Sequence, residues 1–115
     1  MKKVYLHMLE CNCPAANTMA VIGGKWKIMI LNHLLERDHR FNELQRILKG
    51  ITAHTLSKSL KELEIDEMIV RVDLKENPPK TIYKISRKGM ELESVLKGIQ
   101  QFGKKHPISQ AIHGE

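Results

Sequence analysis

Two stretches of this sequence gather side chains able to do chemistry. Near the amino end, His7, Cys11 and Cys13 lie close together. Thiols and imidazoles are metal ligands, and thiolates are nucleophiles. A Cys-x-Cys pair bridges poorly within one chain, so both thiols are expected to be reduced. A structural zinc site usually takes four well-spaced ligands and only three candidates cluster here, so neither a metal nor another cofactor is expected. A thiol enzyme would also need a base beside its cysteine, which sequence alone does not place. The second stretch runs from Thr52 through His54, Thr55, Ser57 and Lys58 to Lys61, with no acid before Glu62. Hydroxyls, an imidazole and ammonium groups without carboxylates suit phosphate oxygens and base edges. The other histidines, His33, His39, His106 and His113, are scattered and read as surface or satisfied core groups. Gly23-Gly24-Lys25 has neither the spacing nor the hydroxyl residue of a phosphate loop.

Hydrophobic spacing shows which elements must position these groups. Pro14 suits the first turn of a helix, which carries Ala15, Met19 and Ile22 at helical spacing and stops at Gly23-Gly24. A second helix is expected from Lys25 to about Glu36. Trp26, Ile30 and Leu34 form one stripe and Leu31 and Leu35 another, so it should run through the core with Lys25 and Lys27 solvated. Arg37-Asp38-His39 reads as a polar break. Phe41, Leu44, Ile47 and Leu48 then mark a short helix closed by Gly50. Thr52 is a plausible N-cap for the next, in which Ala53, Leu56, Leu60 and Leu63 line one side as far as about Asp66. Two short helices around a tight turn containing glycine make a helix-turn-helix pattern.

The period then changes. Val70, Val72 and Leu74 alternate with Arg71 and Asp73, turn residues from Lys75 to Lys80 follow, and Thr81 to Ile85 is a second strand. Ser86 can cap a last helix bearing Leu92, Val95, Leu96, Ile99 and Phe102, and the segment beyond Gly103 has no such pattern. The expected fold is therefore α+β and mainly helical: a winged helix-turn-helix with a two-stranded hairpin wing. It forms a single domain over 1–115, with its core at about 13–103 and a loosely ordered tail over 104–115.

Bulk properties agree with this reading. The chain has 115 residues, 42% hydrophobic and 28% charged, with a net charge of +6. That describes one globular domain with polyanions as its natural partners. Lys2-Lys3 before Val4-Tyr5-Leu6 imitates a signal peptide, but His7 and Glu10 interrupt the short apolar run. No stretch approaches the ~18–20 apolar residues of a bilayer span, so a cytoplasmic location without membrane contact is expected.

A major groove ~12 Å wide accepts one helix. With the leucines turned inward, His54, Thr55 and Lys58 are assigned to base edges, and Thr52, Ser57 and Lys61 to phosphates. Lys75 and Lys80 flank Pro78-Pro79 in a stiff, basic loop suited to the backbone of double-stranded DNA, and Arg40 is a further phosphate candidate. The competing readings are a solvated helix face and an ordinary hairpin turn. A winged helix used only for protein contacts is the alternative function.

Cys13-Pro14, Ile22-Gly23-Gly24-Lys25-Trp26, Arg40-Phe41-Asn42-Glu43-Leu44, Gly50-Ile51, Leu56, Leu60-Lys61-Glu62-Leu63-Glu64, Tyr83 and Gly89 together resemble the HxlR-type transcriptional regulators, a MarR-like branch of winged-helix proteins. The sequence departs from that pattern at Glu67, where the family usually has a turn glycine, and at Phe102, where tryptophan is common. The resemblance implies a sequence-specific DNA-binding regulator, more commonly a repressor than an activator, and not an enzyme. It also implies a homodimer joined through its first and last helices on an inverted-repeat operator. Leu92, Val95, Leu96 and Ile99 are candidates for that seam, with burial in the chain's own core as the competing role. Cys13 matches a cysteine that senses oxidants or electrophiles in several relatives. A helix N-terminus favours a reactive thiolate, whereas a packed, inert cysteine is the alternative.

Overall fold

The computed structural model describes residues 13–108. They run α1 (Pro14–Ile22), α2 (Lys27–Glu36), β1 (His39–Arg40), α3 (Phe41–Ile47), α4 (Ala53–Ile65), β2 (Ile69–Leu74), β3 (Lys80–Ile85), α5 (Arg87–Met90) and α6 (Glu93–Lys105). His7, Cys11 and the segment 109–115 lie outside the described residues. Three strands form one antiparallel sheet in the order β1-β3-β2. Asp73 faces Thr81 and Arg71 faces Tyr83 across the hairpin, while His39 pairs with Tyr83 on the other edge of β3.

The core explains the order of the elements. Ile30, Leu31 and Leu34 of α2 meet Leu44 of α3, Leu56, Leu60 and Leu63 of α4, Ile69 of β2 and Leu96 of α6 in one buried cluster. Nearly continuous apolar character makes α2 the helix the others surround, and it packs on α4, β3 and α6. Trp26 packs half-buried against this cluster as the residue preceding α2, so the helix starts at Lys27 rather than Lys25.

Several expectations are corrected. Of the expected break, Arg37-Asp38 lies between elements, but His39 opens a short strand with Arg40; its partners lie more than forty residues away in β3, beyond any local periodicity. In α1 the buried face is Ala16, Ala20 and Ile22, whereas Ala15 and Met19 are exposed. Ala53 is also exposed, because the first turn of α4 stands clear of the core. Lys27 is buried instead of solvated. The last helix divides in two: Ser86 Oγ accepts the Gly89 N–H at 2.9 Å to cap α5, and α6 starts afresh after Leu92 and runs to Lys105, past Gly103.

The end of α4 is tightly fixed. The Met68 N–H returns to the Leu63 carbonyl and the Glu67 N–H to the Glu64 carbonyl, with Met68 buried beside Leu63. This is a Schellman closure, which needs a left-handed residue, and Glu67 supplies it at φ 63°. The glycine departure noted in the sequence thus falls at the position where glycine would be most at ease. Ser86 Oγ donates to the Glu67 carbonyl at 2.6 Å, and Lys88 Nζ donates to the Asp66 carbonyl at 3.0 Å. Gly89 lies so close beneath this turn that a Cβ would run into the Met68 carbonyl oxygen and approach Ile85 Cγ1 to 2.9 Å.

Gly89→Ala is therefore expected to destabilise the fold by ~1–3 kcal/mol through overpacking against backbone. Urea unfolding at neutral pH measures the effect, and an unchanged midpoint would contradict this packing.

Candidate nucleic-acid interface

Helix α4 owes its orientation to opposite chemistry on two sides. Leu56, Leu60 and Leu63 are fully buried, whereas His54, Ser57, Lys58 and Lys61 are exposed and Thr55 is partly so. Thr52 caps the helix: its Oγ1 accepts the Thr55 N–H at 3.1 Å, and its hydroxyl proton goes to Thr55 Oγ1 at 3.0 Å. Part of Thr55's hydrogen-bonding capacity is thus committed within the cap. The preceding turn uses Gly50 at φ 93°, which lets α3 and α4 meet over a short connection. The six sequence-selected side chains from Thr52 to Lys61 are brought together along the outer side of one helix.

The flanking candidates are placed separately. Arg40 precedes α3, and its backbone N–H donates to Glu43 Oε1 at 2.9 Å, leaving the guanidinium exposed. That bond first, and then the nearby Arg37 and His39 charges, hold the Glu43 carboxyl below its ordinary range. His39 is buried, with Nδ1 3.4 Å from Glu43 Oε1 and its ring edge-on to His33. Lys75 is exposed in the hairpin loop. Lys80 Nζ lies 3.4 Å from Glu76 Oε1, so its charge is partly offset at the wing.

Two charged groups escaped the sequence reading. Arg71, on β2, borders a groove with Ser57, Lys61, Glu64 and Tyr83, between α4 and the wing. Its Nε is 3.2 Å from Asp73 Oδ1, which also accepts the Thr81 hydroxyl at 2.8 Å. The Thr81 bond, followed by the Arg71 charge, lowers the Asp73 pKa. Burial raises that of Tyr83, so its phenol stays neutral as the floor of the groove. Strand alternation alone had put Arg71 on the outer side; only the register with β3 brings it toward α4. The other is Lys27, whose Nζ lies 2.7 Å from Glu62 Oε1 with the lysine side chain 3% exposed. Burial works against the ionised Glu62, but the hydrogen bond and charge of Lys27 outweigh it, with Lys58 adding to them, so its pKa falls.

Of the expected seam on α6, Leu96 is fully buried in the chain's own core and Leu92 packs against that core, while Val95, Ile99 and Phe102 are exposed. Cys13 is an exposed free thiol directly preceding α1, and its carbonyl accepts the Ala16 N–H. Among the described residues, no group of histidine, cysteine and carboxylate side chains could hold a metal ion, and no helix is long and apolar enough to cross a membrane.

A capped helix anchored by leucines, a short helix before it and a hairpin beside it define a winged helix-turn-helix DNA-binding transcription regulator. Residues 21–110 match the HxlR-like helix-turn-helix family, and the chain belongs to it. The uncharacterised HTH-type transcriptional regulator YdeP of Bacillus subtilis is 39% identical over 94 residues, covering 82% of this chain and 73% of that protein. Among solved structures, the redox regulator HypR in its oxidised form superposes with a TM-score of 0.82 at 35% identity, covering 84% of this chain and 100% of the other. The reduced transcriptional regulator YodB of B. subtilis gives 0.72 at 30% identity, covering 83% and 94%.

The Lys27–Glu62 pair has a measurable pH signature. A carboxyl whose folded-state pKa is lowered contributes stability that is present above its ordinary pKa and lost as pH falls through the lowered value. Glu62→Gln is expected to lower stability at neutral pH, with its deficit shrinking on acidification below the usual glutamate range. Thermal unfolding of both proteins across that range tests this; a pH-independent deficit would contradict it.

Proposed function

We propose that this chain acts in the cytoplasm as a homodimeric repressor that reads an inverted-repeat operator and responds to oxidants or electrophiles through Cys13. The observation that carries the DNA reading is the division of α4. Its leucines are locked into the core while His54, Ser57, Lys58 and Lys61 all face outward. His54, Thr55 and Lys58 meet base edges in the major groove. Thr52, Ser57 and Lys61 meet phosphates, with the free N–H groups of the first turn assisting. Arg40 extends the backbone contacts on the α3 side, and Lys75 and Lys80 extend them at the wing. Arg71 joins Lys61 above the groove that Tyr83 floors.

Val95, Ile99 and Phe102 form an exposed apolar strip along α6. Apolar side chains at this spacing on one helix suit pairing with a second copy. A twofold pair presents two α4 helices, so the half-sites should lie about one helical turn apart or a multiple of it. Cys13 is exposed and free at the start of α1, and two structural relatives point the same way: HypR is a redox regulator, and YodB has a structure in diamide-treated form. Modification of Cys13 near the dimer seam would shift one α4 against the other.

Selection of bound sequences from a random duplex pool, with and without oxidant, is the principal test. Recovery of an inverted repeat supports the reading, and recovery of no preferred sequence contradicts it. His54→Ala or Lys58→Ala should change preference at one or two positions by ~1–3 kcal/mol, whereas Lys80→Ala should weaken all duplexes about equally. Equivalent behaviour of both classes would overturn the division between base and backbone roles. Cys13→Ser should retain DNA binding and lose its response to oxidant in the same binding assay; a variant that still responds would remove Cys13 from the mechanism.

A further inference from the structure

Opposite the wing, the turn between α1 and α2 lies against the outer side of α4. Gly24, Lys25 and Trp26 border a groove of about 290 Å³ with His54, Thr55 and Lys58. Lys25 is exposed, and its Nζ stands 4.9 Å from the centroid of the Trp26 ring. A cation over an indole face is attracted by the ring quadrupole, so the ammonium is held above the turn with less rotamer freedom than a free lysine has. Trp26 in turn packs on the hydrophobic core, which gives the perch a rigid base.

The charge balance of this groove depends on a second lysine. Among the described residues that line it, Glu62 is the one acid, and Lys27 engages that carboxylate from the core side at 2.7 Å. With Lys27 answering Glu62 from the core side, the described residues leave Lys25 and Lys58 as exposed cations beside His54 and Thr55, and the groove keeps a net positive charge. Without Lys27, the same carboxylate would repel an anion there and draw Lys58 toward itself.

We propose that Lys25, steadied by Trp26, seats a DNA backbone phosphate on the side of the recognition helix away from the wing, and that the Lys27–Glu62 pair keeps that seat positive. The proposal rests on α4 being the DNA-reading helix and adds a backbone contact on its far side. The duplex would then be held on both flanks of α4: by Lys75, Lys80 and Arg71 at the hairpin, and by Lys25 at the α1–α2 turn. Two flanking contacts fix the roll of a helix in a groove, which one flank alone leaves free.

The test is a salt titration of wild type, Lys25→Gln and Lys97→Gln on one random-sequence duplex. Lys97 lies on α6 and pairs with Glu93, so its loss makes the same change in net charge away from the groove. Lys25→Gln should weaken binding roughly three- to tenfold at low salt and make the log–log salt slope shallower by about 1, with Lys97→Gln close to wild type. On a duplex recovered by selection, a single neutral methylphosphonate at the contacted phosphate should weaken the wild type and leave Lys25→Gln unaffected. Equal slopes for wild type and Lys25→Gln, or an equal loss for Lys97→Gln, overturn the seat while leaving α4 as the reading helix. A wild type that binds no duplex overturns both.

Discussion

The whole candidate interface depends on how α4 is held. Leu56, Leu60 and Leu63 are sunk completely among the side chains of α2, α3 and β2. Burying a leucine side chain contributes about 1.5–3 kcal/mol, far more than any exposed contact on the other side of the helix. The rotation of α4 about its own axis is therefore set by the core. The polar side chains face outward because the leucines permit no alternative, and they remain available because nothing else in the described residues covers them.

The remaining contacts refine that rotation and fix the two ends. Thr52 satisfies the first turn, and the Schellman closure at Glu67, backed by Ser86 and Lys88, satisfies the last. Between them, Lys27 reaches from α2 to Glu62, so an ion pair reinforces the apolar contact at mid-helix. Removing the Glu62 charge would leave the Lys27 ammonium buried without its partner, whereas Glu62 itself keeps an exposed edge with Lys58 nearby. The charge of Glu62, on the helix that carries the candidate interface, is thus answered from within the protein. The wing shows the same economy: Asp73 restrains Arg71 and Thr81 together across the hairpin.

What could be read from the sequence was whatever local periodicity encodes. The leucine spacing of α4, the cap at Thr52, the alternation of β2 and the proline-stiffened loop each predicted their element, and the motif residues from Ile22 to Trp26 and Arg40 to Leu44 pointed to the family. What escaped depends on distant pairing. His39-Arg40 is too short to show a period and becomes a strand only against β3. Lys27 looks like any solvated lysine until Glu62, remote in the chain, is placed beside it. Arg71 comes beside α4 only through strand register. In α1 the apolar spacing was legible but the buried face was not, because alanines at Ala16 and Ala20 carry a weaker signal than Met19, which is exposed. In α6 a single stripe hides two environments: Leu96 in the core, and Val95 and Ile99 in the open.

An NMR titration of the isotope-labelled protein with a duplex recovered by selection tests the account most directly. Its central claim predicts the largest perturbations over Thr52–Lys61, with a second set around the Lys75–Lys80 hairpin and the buried leucines of α4 keeping their native contacts. Perturbations concentrated instead on α6, with residues 52–61 left as in the free protein, would contradict it.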